Sequence, residues 1–212
     1  PAHTLTEATG VRIRHYVEPG LGPSDLALLA AREALAACDR GAADVDLVAK
    51  HPNILFAGLW RFDRKPWTHL SGDKEGGLWR SVDGGKRWTR LTKGLPALMG
   101  RLSVRVAPSD PKVVYVIAET NEGTLFRSDD GGDTFKKTSD KQDLISRGLY
   151  YTQVRVHPTN PDIVYAVGST MWKSIDGGKA WTRVSTTTHI DFHSLWIDPS
   201  NPNRMWNGQD GG

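Results

Sequence analysis

The chain has 212 residues, enough for one or two domains with a buried core. Lys and Arg number 27 against 24 Asp and Glu, a net charge of only +3, so composition makes no case for a nucleic-acid or membrane-surface binder. The one cysteine, Cys38, excludes an internal disulfide and a cysteine-rich zinc site. No apolar run approaches a membrane span, no signal-peptide pattern opens the chain, and Pro1 in place of Met suggests a piece of something longer.

In chain order, Ser24 is suited to cap a helix, with Asp25 favourably placed at its positive end. The helix is expected from Asp25 to Cys38, with Leu28, Ala31, Leu35 and Cys38 on one face and Gly41 beyond its end. Asp44-Val-Asp-Leu-Val48 alternates as a half-buried strand does. Together with Thr9-Gly-Val-Arg-Ile-Arg-His15, these segments resemble the start of β-ketoacyl-ACP synthase III, a thiolase-fold enzyme of fatty-acid initiation, over about residues 4–49. The Cys-His-Asn set that this resemblance implies would lie downstream, where nothing fits it. Cys38, in the helix before the strand, is expected to be a buried and inert thiol.

From residue 50 the chain repeats. Ser81-Val-Asp-Gly-Gly-Lys-Arg-Trp88, Ser128-Asp-Asp-Gly-Gly-Asp-Thr-Phe135 and Ser174-Ile-Asp-Gly-Gly-Lys-Ala-Trp181 match closely, their serines 47 and 46 residues apart. An aromatic and a basic residue precede each: Trp79-Arg80, Phe126-Arg127 and Trp172-Lys173. A second motif interleaves, at Pro108-Ser-Asp-Pro111, Pro158-Thr-Asn-Pro161 and Pro199-Ser-Asn-Pro202, each before a short apolar strand; a fainter copy lies at Pro52–Ala57. In the clearest unit the expected strands are Leu102–Ala107, Lys112–Glu119, Gly123–Ser128 and Asp133–Thr138. Four strands in about 45 residues is the period of a β-propeller blade.

The Ser-x-Asp-x-Gly-x-x-aromatic pattern has a structural reason at each position. Asp83, Asp130 and Asp176 can bond the amides of their own turn, and the Gly-Gly pairs can take positive φ. Trp88, Phe135 and Trp181 then bury their rings under the turn. Ser81, Gly85, Ser128, Gly132, Ser174 and Gly178 complete the pattern as scaffold. These residues resemble the Asp-box, or BNR, repeat of sialidases, xyloglucanase-type glycoside hydrolases, sortilin-type receptors and photosystem-assembly propellers. Ala57–Trp67, His189–Pro199 and Gln209-Asp-Gly-Gly212 are similar to a large bacterial BNR/sortilin-like group described as glycosyl-hydrolase-like. The resemblance implies a fold rather than an activity, because the Asp-box is structural throughout those families. It also implies relatives that are often exported.

The expected architecture is therefore mainly β: an incomplete propeller over residues 50–212, about three four-stranded blades and a partial one, after a short α/β segment over 1–49. The two resemblances meet between Asp44 and Lys50, which suggests a chimeric chain. Aligning the proline motifs places Val45 opposite Val104 and Val154, and Leu47 opposite Val106 and Val156, so the synthase-like strand has the alternation of a blade's first strand.

Two groups are candidates for ligand binding. Trp60, Arg61, Arg64 and Trp67, with Asp63 among them, combine flat aromatic surface and charge, a mixture suited to sugar rings or an extended peptide; the alternative is a long loop packed on a blade edge. His189, Asp191 and His193 alternate, so a strand would put all three on one face, as a divalent-ion site or as a polar surface facing a ligand. Asp191, Asp198 and Asp210 could supply the paired acids of glycoside hydrolysis, although Asp198, beside a proline turn, suits a turn role. No catalytic residue, metal or cofactor is assigned. The function expected is a non-catalytic binding or scaffold fragment. Its alternatives are a BNR-type glycoside hydrolase active only within a longer protein, and a remnant of the synthase. The expected partners are a carbohydrate or a protein or peptide, with neither nucleic acid nor membrane, and self-association through open blade edges.

Overall fold

A computed structural model of the chain describes residues 53–60, 62–72, 74, 76–148, 150–184 and 189–210, with side chains excepted at 62–64. The expected helix over Asp25–Cys38, the strand over Asp44–Val48 and the residue Arg61 lie outside the described residues.

The first sheet joins β1 (Leu55–Leu59), β4 (Gly77–Ser81) and β5 (Thr89–Leu91) in that order. Between β1 and β4 the chain makes a separate hairpin of β2 (Phe62–Lys65) and β3 (Thr68–Ser71). The second sheet is a four-stranded antiparallel meander of β6 (Leu102–Ala107), β7 (Asp110–Ala118), β8 (Leu125–Ser128) and β9 (Lys136–Ser139). One 3-10 turn, Gln142–Ile145, leads to the third, which repeats the meander with β10 (Gln153–Val156), β11 (Val164–Val167), β12 (Met171–Ser174) and β13 (Thr182–Arg183). The fourth is a two-stranded ribbon of β14 (Phe192–Ile197) and β15 (Met205–Gln209). The propeller is thus incomplete, as expected, with two differences. The first sheet shows three strands among the described residues, and the loop expected over Trp60–Trp67 is largely a hairpin.

The sheets stack face on face, and the central strands show why. Val113-Val-Tyr-Val-Ile-Ala118 is an unbroken apolar run, the mark of a strand covered on both sides. Val114, Val116 and Ala118 face the first sheet, meeting Phe56, Leu78 and Leu91. Val113, Tyr115 and Ile117 face the third, meeting Val154, Val164 and Ala166. The alternation recurs in β11, where Val164 and Ala166 point back while Tyr165 and Val167 point on to Phe192 and Leu195 of the fourth sheet. Each fully buried Val or Ile contributes about 1.5–3 kcal/mol before the entropy of ordering is counted. First strands lie side by side, β6 against β10, as blades do around a common axis.

Between the third and fourth strands of each unit the Asp-box closes a tight hairpin. Ser128 Oγ donates to Asp130 Oδ1 at 2.6 Å and accepts from the Gly132 amide at 2.8 Å, while Asp130 Oδ1 accepts from the Thr134 amide at 2.9 Å. Ser81 with Asp83 and Ser174 with Asp176 repeat the pattern. Gly131 and Gly132 stand at φ +76 and +92, a region that glycine enters freely. The Trp88 and Trp181 indoles donate back to Gly85 O and Gly178 O at 3.1 and 3.0 Å, and Phe135 is buried in the same place.

Candidate functional site

The Asp-box carboxylates are occupied by their own turns. The Arg87 side chain and amide, with Ser81, hold Asp83 at about 2, below the ordinary carboxylate value of 3.8. Asp130 is held lower still, by the Ser128 hydroxyl first and Thr134 next, and Asp176 is lowered by the Ala180 amide and then Ser174. A carboxylate already holding several short bonds in its own hairpin has little capacity left for a ligand. Asp198 behaves alike: its Oδ1 accepts from the Ser200 amide at 2.8 Å and the Ser200 hydroxyl at 2.7 Å, and its Oδ2 accepts from Arg204 Nε at 2.8 Å.

A different arrangement sits where the fourth sheet meets the approach to the third. Asp191 precedes β14 with φ +86, which aspartate tolerates better than most residues. Its amide donates to Ser169 O and its carbonyl accepts from the Asp210 amide, at 3.0 and 3.2 Å, so two aspartates distant in sequence are brought together. A register shift between Phe192 and Ser194 releases His193 from the ladder. His193 Nε2 lies 3.3 Å from Asp210 Oδ2 and 3.8 Å from Asp191 Oδ1. Asp191 Oδ1 is buried and has no hydrogen-bond partner among the described residues, whereas the Asp210 side chain is 72% exposed.

Tyr151 closes the cluster. Its ring meets the His193 ring edge-on, centroids 5.0 Å apart, and its hydroxyl accepts from Arg147 Nη1 at 3.4 Å. Burial, and then its hydrogen bond with Asp191, push the Tyr151 phenol up. The adjacent Tyr150 is 55% exposed. Asp191, His193 and Asp210 present one imidazole nitrogen and two carboxylate oxygens within 4.8 Å of one another. Such a group can accept from and donate to the hydroxyls of a ligand, and its donor set is also one that cations accept.

His189 is not part of it. The strand begins only at Phe192 and Asp191 turns left-handed before it, so the alternation expected over 189–193 does not form. His189 Nδ1 stays 2.6 Å from Ile190 O, exposed. The Trp-Arg group divides as well: Trp60 is half-buried at the end of β1, Arg64 lies in β2, and Trp67 stands 79% exposed at the hairpin tip. It belongs to the first unit of the chain and the histidine cluster to the last. The sequence offers Asp210 only as one of three possible paired acids, and gives Tyr151 no place in the site. The available signal was an Arg four residues before a Tyr at the entry to a first strand.

Three stacked antiparallel sheets with Asp-box hairpins, followed by a fourth ribbon, define an Asp-box propeller segment. The model of the Sortilin-Vps10 family, described as "Sortilin, neurotensin receptor 3", matches residues 76–191, and the chain belongs to that family. A xyloglucanase from Hypocrea jecorina (strain QM6a) is 29% identical over 147 residues, which are 60% of this chain and 17% of that enzyme. A crystal structure of the Niastella koreensis GH74 enzyme overlays with a TM-score of 0.49 at 19% identity, covering 75% of this chain and 23% of that one. An ancestral GH74 enzyme gives 0.46 at 18% identity, covering 74% and 22%. The chain therefore spans about a fifth of the length of these relatives.

Proposed function

We propose that residues 50–212 are a non-catalytic, carbohydrate-binding stretch of an Asp-box propeller, preceded by a distinct segment over 1–49. The observation that carries this reading is the geometry around His193. Two carboxylates converge on a single imidazole, within 4.8 Å of each other. The acids of glycoside hydrolysis instead flank a sugar bond and leave a gap for it, whereas here His193 Nε2 stands 3.3 Å from the Asp210 carboxylate and 3.8 Å from that of Asp191. Hydroxyl recognition by His193 and Asp210, beside the exposed ring of Tyr150, needs no such gap. The xyloglucanase relative suggests the ligand class, an oligosaccharide of the xyloglucan type. Calorimetry with xyloglucan oligosaccharides is expected to give binding that His193→Ala weakens by up to about tenfold, as loss of a neutral hydrogen bond does. Absence of binding by the unaltered chain would sink the reading.

A hydrolase within a longer protein is the second reading. The outward-turned Asp210 carboxylate and the xyloglucanase relative favour it, and sugar release by this chain would put it first. The synthase alternative rests on residues 4–49 alone, and acyl-CoA calorimetry tests it.

A further inference from the structure

The carboxylates of the turns are already committed: Asp83, Asp130, Asp176 and Asp198 each accept from amides of their own turn, and Asp129 and Asp162 share Arg127. Asp191 is different. Its Oδ1 is buried, has no hydrogen-bond partner among the described residues, and lies 3.8 Å from His193 Nε2, beyond hydrogen-bonding reach. Arg147 donates to the Tyr151 hydroxyl, not to this oxygen. A buried carboxylate oxygen without a donor is costly unless a positive charge meets it.

The spacing around that oxygen is the spacing of a metal's ligands. Bonds of about 2.0–2.2 Å at tetrahedral angles put neighbouring ligand atoms about 3.3–3.6 Å apart. His193 Nε2 stands 3.3 Å from Asp210 Oδ2 and 3.8 Å from Asp191 Oδ1, and the three ligand atoms all lie within 4.8 Å of one another. They converge from three places: Asp191 from before β14, His193 from the register shift that frees it, and Asp210 from the end of β15, tied through its amide to Asp191 O at 3.2 Å. Tyr151 supplies the support that metal ligands use. Its hydroxyl is hydrogen-bonded to Asp191, and its ring meets the His193 ring edge-on, centroids 5.0 Å apart. Two carboxylates and a neutral imidazole match the charge of a divalent ion, and a nitrogen among the donors suits zinc better than magnesium.

We propose that Asp191, His193 and Asp210 bind a single zinc-type divalent ion and leave its fourth position open to a ligand oxygen. That the oxygen is a sugar hydroxyl rests on the carbohydrate reading above; the ion itself does not. Calorimetry of the chelator-treated 212-residue chain with Zn2+ alone is expected to show one ion bound per chain, and Mg2+ is expected not to bind. Asp191→Asn keeps a residue suited to positive φ, so the fold is retained. It and His193→Ala are each expected to weaken zinc binding about a hundredfold. His189→Ala is expected to leave it unchanged. In the unaltered chain, where folding effects do not enter, zinc should move the ring resonances of His193 and not those of His189. Absence of zinc binding, Mg2+ bound as tightly as Zn2+, a zinc affinity untouched by Asp191→Asn or His193→Ala, or equal weakening by His189→Ala would each overturn the proposal. Titrating xyloglucan oligosaccharides with and without Zn2+ separates the two readings. Zinc binding without sugar binding sinks the carbohydrate reading alone, and sugar binding by a chain that takes no zinc sinks this one alone.

Discussion

The second and third sheets meet through the same strands as the third and fourth, yet only the first of these contacts is clamped. At the former, Arg127 extends from β8 to Asp162 Oδ1 of the next sheet at 2.5 Å, is held by Asp129 at 2.7 Å, and donates to the Tyr115 hydroxyl at 2.9 Å. Tyr115 in turn donates to Pro161 O at 2.9 Å, and burial pushes its phenol up to about 12, so it remains a donor across the accessible pH range. The repeat places Tyr165 and Lys173 in the corresponding positions one unit later, where the residue matching Asp162 is Asn203. Lys173 Nζ lies 5.7 Å from the Tyr165 ring centre, and among the described residues no ion pair ties it to the fourth sheet. The first contact has its own version, with Arg80 donating to Gly131 O at 3.0 Å and pairing with Asp133 at 2.6 Å. The basic residue before each Asp-box is thus a strut to the next sheet, and it loses its anchor where the neighbouring sheet is a ribbon.

The largest consequence concerns the cores beneath these struts. Leu125 is fully buried between the second and third sheets, packed against Gly178, whereas Leu195 lies between the third sheet and the ribbon at 5% exposure. Buried Leu→Ala changes cost about 2–5 kcal/mol, rising with the cavity left behind. Leu125→Ala is expected near the top of that range, because four-stranded sheets on both sides cannot close the void. Leu195→Ala is expected near the bottom, because a ribbon can shift into it. Urea midpoints of the two variants measure the difference, and equal midpoints would show that the ribbon is as rigid as the full sheets.

The struts themselves give the next effect. Arg127→Ala is expected to cost about 1.5–3 kcal/mol, the range for hydrogen bonds to charged groups in a partly buried site. Lys173→Ala is expected to stay within about 0.5 kcal/mol, as for a surface change. Comparable losses in the same denaturation experiment would mean that Lys173 has an anchor equivalent to Arg127's.

Much of this framework is legible in the sequence because local chemistry and tertiary packing agree. The apolar run at Val113–Ala118 and the Asp-Gly-Gly turns mark the strands and their hairpins, and the first strand of the clearest unit is found at Leu102–Ala107 as expected. The fourth strand is displaced: expected over Asp133–Thr138, it starts at Lys136 because the bonds from Asp130 hold the turn through Thr134. The hairpin of β2 and β3 escapes prediction because its residues alternate on no apolar face; those described in β3 are exposed or half-exposed. The candidate site is legible only in part. Asp191 and His193 are near neighbours in sequence, but Asp210 reaches them through strand pairing and Tyr151 through sheet stacking, contacts without a local signature. His189 is lost to a turn that periodicity does not foresee.

Acid gives the smallest effect and separates the hairpins from the cores. A carboxylate whose value is lowered by folding stabilises the folded state fully above its unfolded value, here 3.8, and loses that stabilisation as pH falls through the folded value. Asp83 and Asp198 are both held at about 2, one in the first Asp-box and one in the turn before β15. Asp130 titrates lower, so its hairpin should be the last of these to yield. The melting temperature is therefore expected to be flat above about pH 5, to fall from about pH 4 and to keep falling towards pH 2. These side chains lie near the surface, so the slope should be shallow and should flatten further in high salt. Asp130→Asn should lower the melting temperature at neutral pH and reduce the acid slope, since it removes one of the titrating bonds. A variant whose acid slope equals that of the original chain would show that the second Asp-box contributes nothing to the pH dependence, and that the loss lies in the turn at Asp198 and the first and third hairpins.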